Sequence, residues 1–140
     1  MAETTFEIAS TTGGATVTFT GSIAGQPRAT EGYTISVRLQ ADGVEARAQV
    51  YDHLPARWAR LFEQISQDWR GWQDAKSEES LEGQLRLSFT TDRLGHVRMR
   101  VELSGGQLKS DWRAELTIQL EAGQLENLAT QARAYFAEDQ

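Results

Sequence analysis

The chain has 140 residues and a mass of 15.6 kDa, which fits one domain and is short for two. A hydrophobic fraction of 39% with 24% charged residues excludes a disordered tail or a coiled coil. The formal net charge of −6 disfavours binding to phosphate backbones, so nucleic acid is not an expected partner.

With no cysteine, the chain has no disulfide scaffold, no thiol nucleophile and no cysteine-ligated zinc. His53 and His96 are its two histidines, which leaves few routes to a histidine-based metal site or triad. No apolar run approaches the roughly 20 residues that span a bilayer, so no membrane partner is expected. Met-Ala-Glu-Thr-Thr-Phe-Glu lacks a basic region and an apolar core, so no secretory leader is expected. The charge is uneven: residues 121–140 hold four acids and one base, whereas residues 81–120 hold five acids and six bases. Arginine supplies twelve of the fourteen bases, a choice that nucleotide composition explains more simply than an Arg-rich recognition face.

The first half alternates in hydropathy. Phe6 and Ile8 share one parity, and Val17 and Phe19 follow the breaker pair Gly13-Gly14. Residues 21–32 read as a loop. Tyr33, Ile35, Val37 and Leu39 then point one way, which is a half-buried strand. Asp42-Gly43 signals a tight turn into Val44, Ala46, Ala48 and Val50. The period changes at Leu54, Trp58, Leu61, Phe62, Ile65, Trp69 and Trp72, which recur at three and four residues and predict an amphipathic helix. Asp52 is its candidate N-cap, Pro55 suits its first turn, and Gly71 marks its end.

Residues 73–80 read as a polar connection. Leu85, Leu87 and Phe89 form the next strand, followed by a turn at 91–95. Val97, Met99, Val101 and Leu103 form another, and Trp112, Ala114, Leu116, Ile118 and Leu120 a further one. Leu125, Leu128, Ala129, Ala132, Tyr135 and Phe136 predict a second amphipathic helix.

Both halves therefore read strand, strand, strand, helix, a pseudo-repeat over residues 5–72 and 80–137 of one domain spanning 1–140. Hairpin-linked strands pair antiparallel, and two helices with one apolar face each must cover that sheet. The expected fold is α+β: a curved antiparallel β-sheet of six or seven strands with both helices on one face.

No P-loop, G-x-G-x-x-G, G-x-S-x-G or H-E-x-x-H motif is present. Asp52 beside His53 could orient an imidazole, but no nucleophile accompanies them, and a polar cluster at a helix start is the simpler reading. Glu82, Asp92 and His96 would make an acid–base site only if they met in one cleft. A small-molecule-binding helix-and-sheet domain is an alternative, with Trp58, Trp69, Trp72 and Trp112 lining the pocket.

The densest unusual feature is Asp68-Trp69-Arg70-Gly71-Trp72-Gln73-Asp74, with Glu78 and Glu79 as an acidic rim. Trp and Arg often dominate protein interfaces, and Trp is also the largest core filler. Asp68, Trp69, Trp72, Asp74, Glu78 and Glu79 are the candidate partner-binding residues. Glu121, Glu126, Glu138 and Asp139 add acidity along the second helix.

Leu81-Glu82-Gly83-Gln84-Leu85-Arg86-Leu87, then Asp92-Arg93-Leu94-Gly95-His96-Val97, and later Glu121-Ala122-Gly123-Gln124-Leu125 form a recurring type of motif. Residues 30–136 resemble immunity proteins of the WapI type, most sharply over 81–103. The Trp69-Arg70-Gly71-Trp72 element resembles a related group of domains of uncharacterised function. The last segment departs from the WapI-type pattern, which carries an Asp-Gln pair ahead of its final leucine. The resemblance implies a small cytoplasmic bacterial protein without catalytic residues or cofactor. It would bind and block the toxin domain of a polymorphic toxin, with a basic nuclease as one suitable target. A monomer or weak homodimer is expected.

Overall fold

A computed structural model describes residues 5–23, 32–92 and 94–136. Residues 24–31 of the expected loop, together with Glu138 and Asp139, lie outside the described residues. In chain order the elements are β1 (Thr5–Ala9), β2 (Thr16–Thr20), β3 (Tyr33–Ala41), β4 (Val44–Asp52) and α1 (Ala56–Gln67). The second half follows with β5 (Lys76–Glu79), β6 (Leu85–Thr91), β7 (His96–Gly105), β8 (Trp112–Glu121), a 3-10 turn (Ala122–Gln124) and α2 (Leu125–Tyr135). Each half is four strands and a helix, where the repeat scheme counts three strands; the Phe6–Ile8 run is the fourth strand of the first half, and the second half has one strand that the pattern does not give.

The strands make two antiparallel meanders of four, β1-β2-β3-β4 and β5-β6-β7-β8. This corrects the expectation of a single sheet of six or seven strands. Alternation shows which face of a strand is buried, but it does not identify the partner across a helical connection. The extra strand of the second half is β5, inside the segment expected to be a connection. Lys76-Ser77-Glu78-Glu79 has no apolar residue and gives no alternation, yet it pairs with β6 from Lys76↔Phe89 to Glu79↔Arg86. A short, charged strand is a common composition for a sheet edge.

The hairpin predicted at Asp42-Gly43 is present, with Ala41 opposite Val44 and Gly43 at φ 81°. The inward rows of both sheets and the apolar stripes of both helices form one buried cluster. The sheets approach each other where β4 meets β7 and β3 meets β8. Small residues allow this: Ala46 and Ala48 on β4, Gly105 on β7, and Ala114 on β8. A Cβ at Gly105 would lie 2.5 Å from the Trp112 ring and 3.2 Å from Ala48 Cβ. The turn after β1 is fastened to β8: Thr11 N–H donates to the Gln119 carbonyl at 2.9 Å, and Gln119 N–H donates to Ser10 Oγ at 2.9 Å.

The helices pack against each other, α1 beside β5 and α2 beside β1. Each half's helix therefore lies against the first strand of the other half. Phe62 of α1 meets Phe6 edge-on at 5.5 Å and Phe89 edge-on at 5.4 Å, joining the two sheets through one ring. Phe136 stacks on Trp58 at 6.3 Å and meets Tyr135 edge-on at 4.9 Å.

Tyr135 is fully buried, and its hydroxyl has no hydrogen-bond partner among the described residues. Burial raises its pKa well above the ordinary value. Because an unpaired buried hydroxyl costs free energy, Tyr135→Phe is expected to leave stability unchanged or to raise it by up to about 1 kcal/mol, read from the urea midpoint.

Helix α1 is shorter than its apolar spacing suggests. It starts behind Pro55 and stops at Gln67, with Asp68 at φ −97° and ψ 30°. Leu54 is exposed at φ 53°, and Trp69 and Trp72 lie beyond the helix. The helix end expected at Gly71 therefore falls earlier. Asp52 is not the N-cap: it closes β4, and no side chain caps α1. No helix among the described residues is long and apolar enough to cross a membrane.

Candidate functional site

The chain leaves α1 through an exposed turn. Trp69 is 51% exposed, the only tryptophan of the four in that state, and the Arg70 guanidinium lies over its ring at 5.0 Å. This contact fixes a flat aromatic surface and adds cation–π attraction. Trp72 behaves differently. It is half-buried against the core, and its Nε1 donates to the Phe89 carbonyl at 3.1 Å. Trp72 therefore anchors the loop to β6, while Trp69 faces solvent. Asp74 is exposed, in the left-handed region at φ 60°.

The acidic rim is partly used within the fold. Asp68 Oδ2 pairs with Lys76 Nζ at 3.2 Å, and Glu78 Oε2 pairs with Arg57 Nη1 at 2.8 Å. These two pairs hold β5 along α1, one toward each end of the helix. Asp74 and Glu79 have no ion pair among the described residues. The six candidate residues thus divide into Asp68, Trp69, Trp72 and Asp74 at the end of α1, and Glu78 and Glu79 toward its start.

Near that start lies a buried polar group built on Asp52, which is not the helix cap that the sequence suggests. The carboxylate of Asp52 is 1% exposed. Its Oδ2 accepts from Arg57 Nη2 at 2.6 Å, from Trp58 Nε1 at 2.8 Å and from the Tyr33 hydroxyl at 3.4 Å. Its Oδ1 accepts from the backbone N–H of Leu81 at 2.9 Å, and His53 Nδ1 lies 3.5 Å away. Burial, and then the negative charge of Asp52, raise the pKa of Tyr33 well above its ordinary value. The group holds β3, β4, α1 and the β5–β6 loop together. The simpler reading of Asp52 and His53 as a polar cluster agrees with this geometry. One sequence signal was available for Arg57: a cation in the first turn of a helix opposes the macrodipole unless a carboxylate compensates it.

The β6–β7 turn holds Asp92 and His96. Asp92 Oδ1 accepts from Leu94 N–H at 2.8 Å and from His96 N–H at 3.2 Å, and its Oδ2 lies 2.7 Å from His96 Nδ1. The Leu94 N–H, and then the imidazole, lower the Asp92 pKa; the Asp92 hydrogen bond raises that of His96. The pair's contribution to stability through His96 is complete below the ordinary histidine value of 6.5 and is lost as pH rises through the raised folded value. Through Asp92 it is present above 3.8 and lost as pH falls through the lowered folded value. An NMR titration should find His96 ionising above 6.5, and Asp92→Asn should bring it back toward that value.

Glu82 is not part of this pair. It binds Lys109 Nζ at 2.7 Å, and the seven residues of β6 separate it from Asp92 by about 20 Å of extended chain. Glu82, Asp92 and His96 therefore do not meet in one cleft. The four tryptophans do not line one pocket either: Trp58 is in the core, Trp72 covers β6, Trp112 lies against Gly105, and Trp69 is outside.

No curated protein and no solved structure matches this chain. Residues 8–139, nearly its whole length, match one family, so the chain belongs to the family of unknown function DUF6228.

Proposed function

We propose that this chain is a non-catalytic protein-binding module, an immunity protein that occludes the toxin domain of a cognate polymorphic toxin in the bacterial cytoplasm. The observation that carries this reading is Trp69, half-exposed with Arg70 stacked on it at the end of α1. Tryptophan and arginine are the residue types most enriched among interface anchors, and here the two stack in one exposed turn. Two further features support the reading. The net charge of −6, with Asp74 near the anchor and free of ion pairs among the described residues, suits a basic target such as a nuclease. The motifs over 81–103 resemble WapI-type immunity proteins.

Blocking works by steric cover, with carboxylates standing where substrate phosphates would lie. The test is co-expression with the toxin domain encoded beside this gene. Restored growth and co-purification are the expected results; no rescue and no complex would overturn the proposal.

A further inference from the structure

Among the described residues three polar side chains are buried: Asp52, Ser80 and Gln84. Two of them are used within the fold. Asp52 accepts from Arg57, Trp58, Tyr33 and Leu81, and Ser80 Oγ accepts from the Leu85 N–H at 3.0 Å. Gln84 differs. It is 5% exposed, yet its side-chain amide has no hydrogen-bond partner among the described residues. Buried amides are ordinarily paired, because leaving one unpaired costs free energy. Gln84 lines a recess of about 150 Å3 on the outer face of β6, β7 and β8.

The sheet register builds this recess from two cross-strand rows. Ser104 N–H donates to the Gln84 carbonyl at 2.8 Å, and Ser104 lies opposite Arg113, which sets Gln84, Ser104 and Arg113 side by side. Glu79, Arg86 and Glu102 form the adjoining row. All six line the recess, and two charges of each sign are among them. Arg113 Nη2 and Glu102 Oε1 pair at 2.9 Å. Arg86 and Glu79 stand opposite each other on neighbouring strands, yet neither has an ion pair among the described residues. The Glu79 carboxylate lies by the β5–β6 loop instead, where a Cβ on Gly83 would be 4.0 Å from Oε2. The recess therefore offers one unpaired cation, one unpaired anion and an unpaired amide.

We infer that this recess is a binding site for a small zwitterion, a free α-amino acid with a polar side chain, held with its carboxylate on Arg86 and its ammonium group on Glu79. A guanidinium receives a carboxylate through two parallel N–H bonds. The Gln84 amide both donates and accepts, so it serves either end of the ligand. A ligand of a single charge would leave Arg86 or Glu79 without a partner. An apolar side chain would find no apolar wall, since Leu103, the one apolar residue lining the recess, has its side chain in the core. The volume is below the roughly 300–1,000 Å3 usual for drug-sized ligands, which limits the occupant to a small molecule. This site is separate from Trp69 and does not depend on the immunity reading.

The experiment titrates the full chain, labelled with nitrogen-15, with L-serine, L-asparagine and L-glutamine in turn. NMR follows the side-chain amide of Gln84 and the Nε–H of Arg86. Saturable shifts of both signals are expected with at least one of the three, and acetate and methylammonium should bind at least about tenfold more weakly. Arg86→Gln and Glu79→Gln, both at exposed sites, should each weaken binding about tenfold. Gln84→Met keeps the volume and removes the amide. It should abolish binding and leave Tm unchanged or raised, because the fold loses no hydrogen bond. A lowered Tm would show that the amide serves the fold and would overturn the inference. So would no saturable shift at tens of millimolar, equal binding of acetate or methylammonium alone, binding insensitive to the three substitutions, or shifts confined to another surface.

Discussion

Asp52→Ala is expected to destabilise the fold by about 3–5 kcal/mol, a large share of the stability of a domain this size. The substitution leaves the Arg57 guanidinium, the Trp58 indole N–H and the Leu81 N–H without their shared acceptor. The Trp58 and Leu81 N–H groups would then be unpaired in place, and Arg57 would keep only its contacts with Glu78 and Glu79. Asp52→Asn keeps one acceptor oxygen and should lose less. The two halves should also become less cooperative, because Leu81 is held to β4 through this one carboxylate. Urea denaturation monitored by tryptophan fluorescence measures both variants. A loss below about 1 kcal/mol for the alanine variant would mean that the carboxylate does not hold the halves together.

Phe62→Ala is expected to cost a similar 3–5 kcal/mol for a different physical reason. Phe62 is fully buried on α1 and touches Phe6 of one sheet and Phe89 of the other. Removing the ring leaves a void that neither sheet can fill without moving toward the other. That movement is blocked where Gly105 already meets Ala48 and Trp112. The effect separates from that of Asp52 by its dependence on shape: Phe62→Leu should recover part of the loss, since it restores volume without a ring. Calorimetry of the three proteins reads the difference as a graded shift in Tm.

The strands with alternating side chains are legible in the sequence because burial on one face imposes a period of two. β3, β4, β7 and β8 follow this rule, and the Asp42-Gly43 turn sets the register of the first pair. Both helices are legible from apolar spacing. β5 is not, because a four-residue edge strand buries no apolar row. The division into two sheets is not legible either, because β4 and β5 are joined through α1 and nothing local records that they do not pair.

The end of α1 is misread because Trp69 and Trp72 continue a three- and four-residue spacing after the backbone has left the helix. The spacing also hid the distinction that matters most at the candidate site, that one of these rings faces solvent while the other hydrogen-bonds to β6. Asp52 looked like a helix cap because a β-strand ending in Asp before a Pro resembles one. Its actual donors come from residues as far along the chain as Leu81. The acidic rim was legible as composition, but the pairing of Asp68 with Lys76 and of Glu78 with Arg57 depends on β5 lying along α1.

The most direct test is the affinity of the purified Trp69→Ala protein for the adjacent toxin domain, by titration calorimetry beside the wild-type chain. An interface anchor predicts a loss of about 2 kcal/mol or more, roughly a thirtyfold rise in Kd, with an unchanged Tm. Unchanged affinity in a folded Trp69→Ala protein would contradict the account.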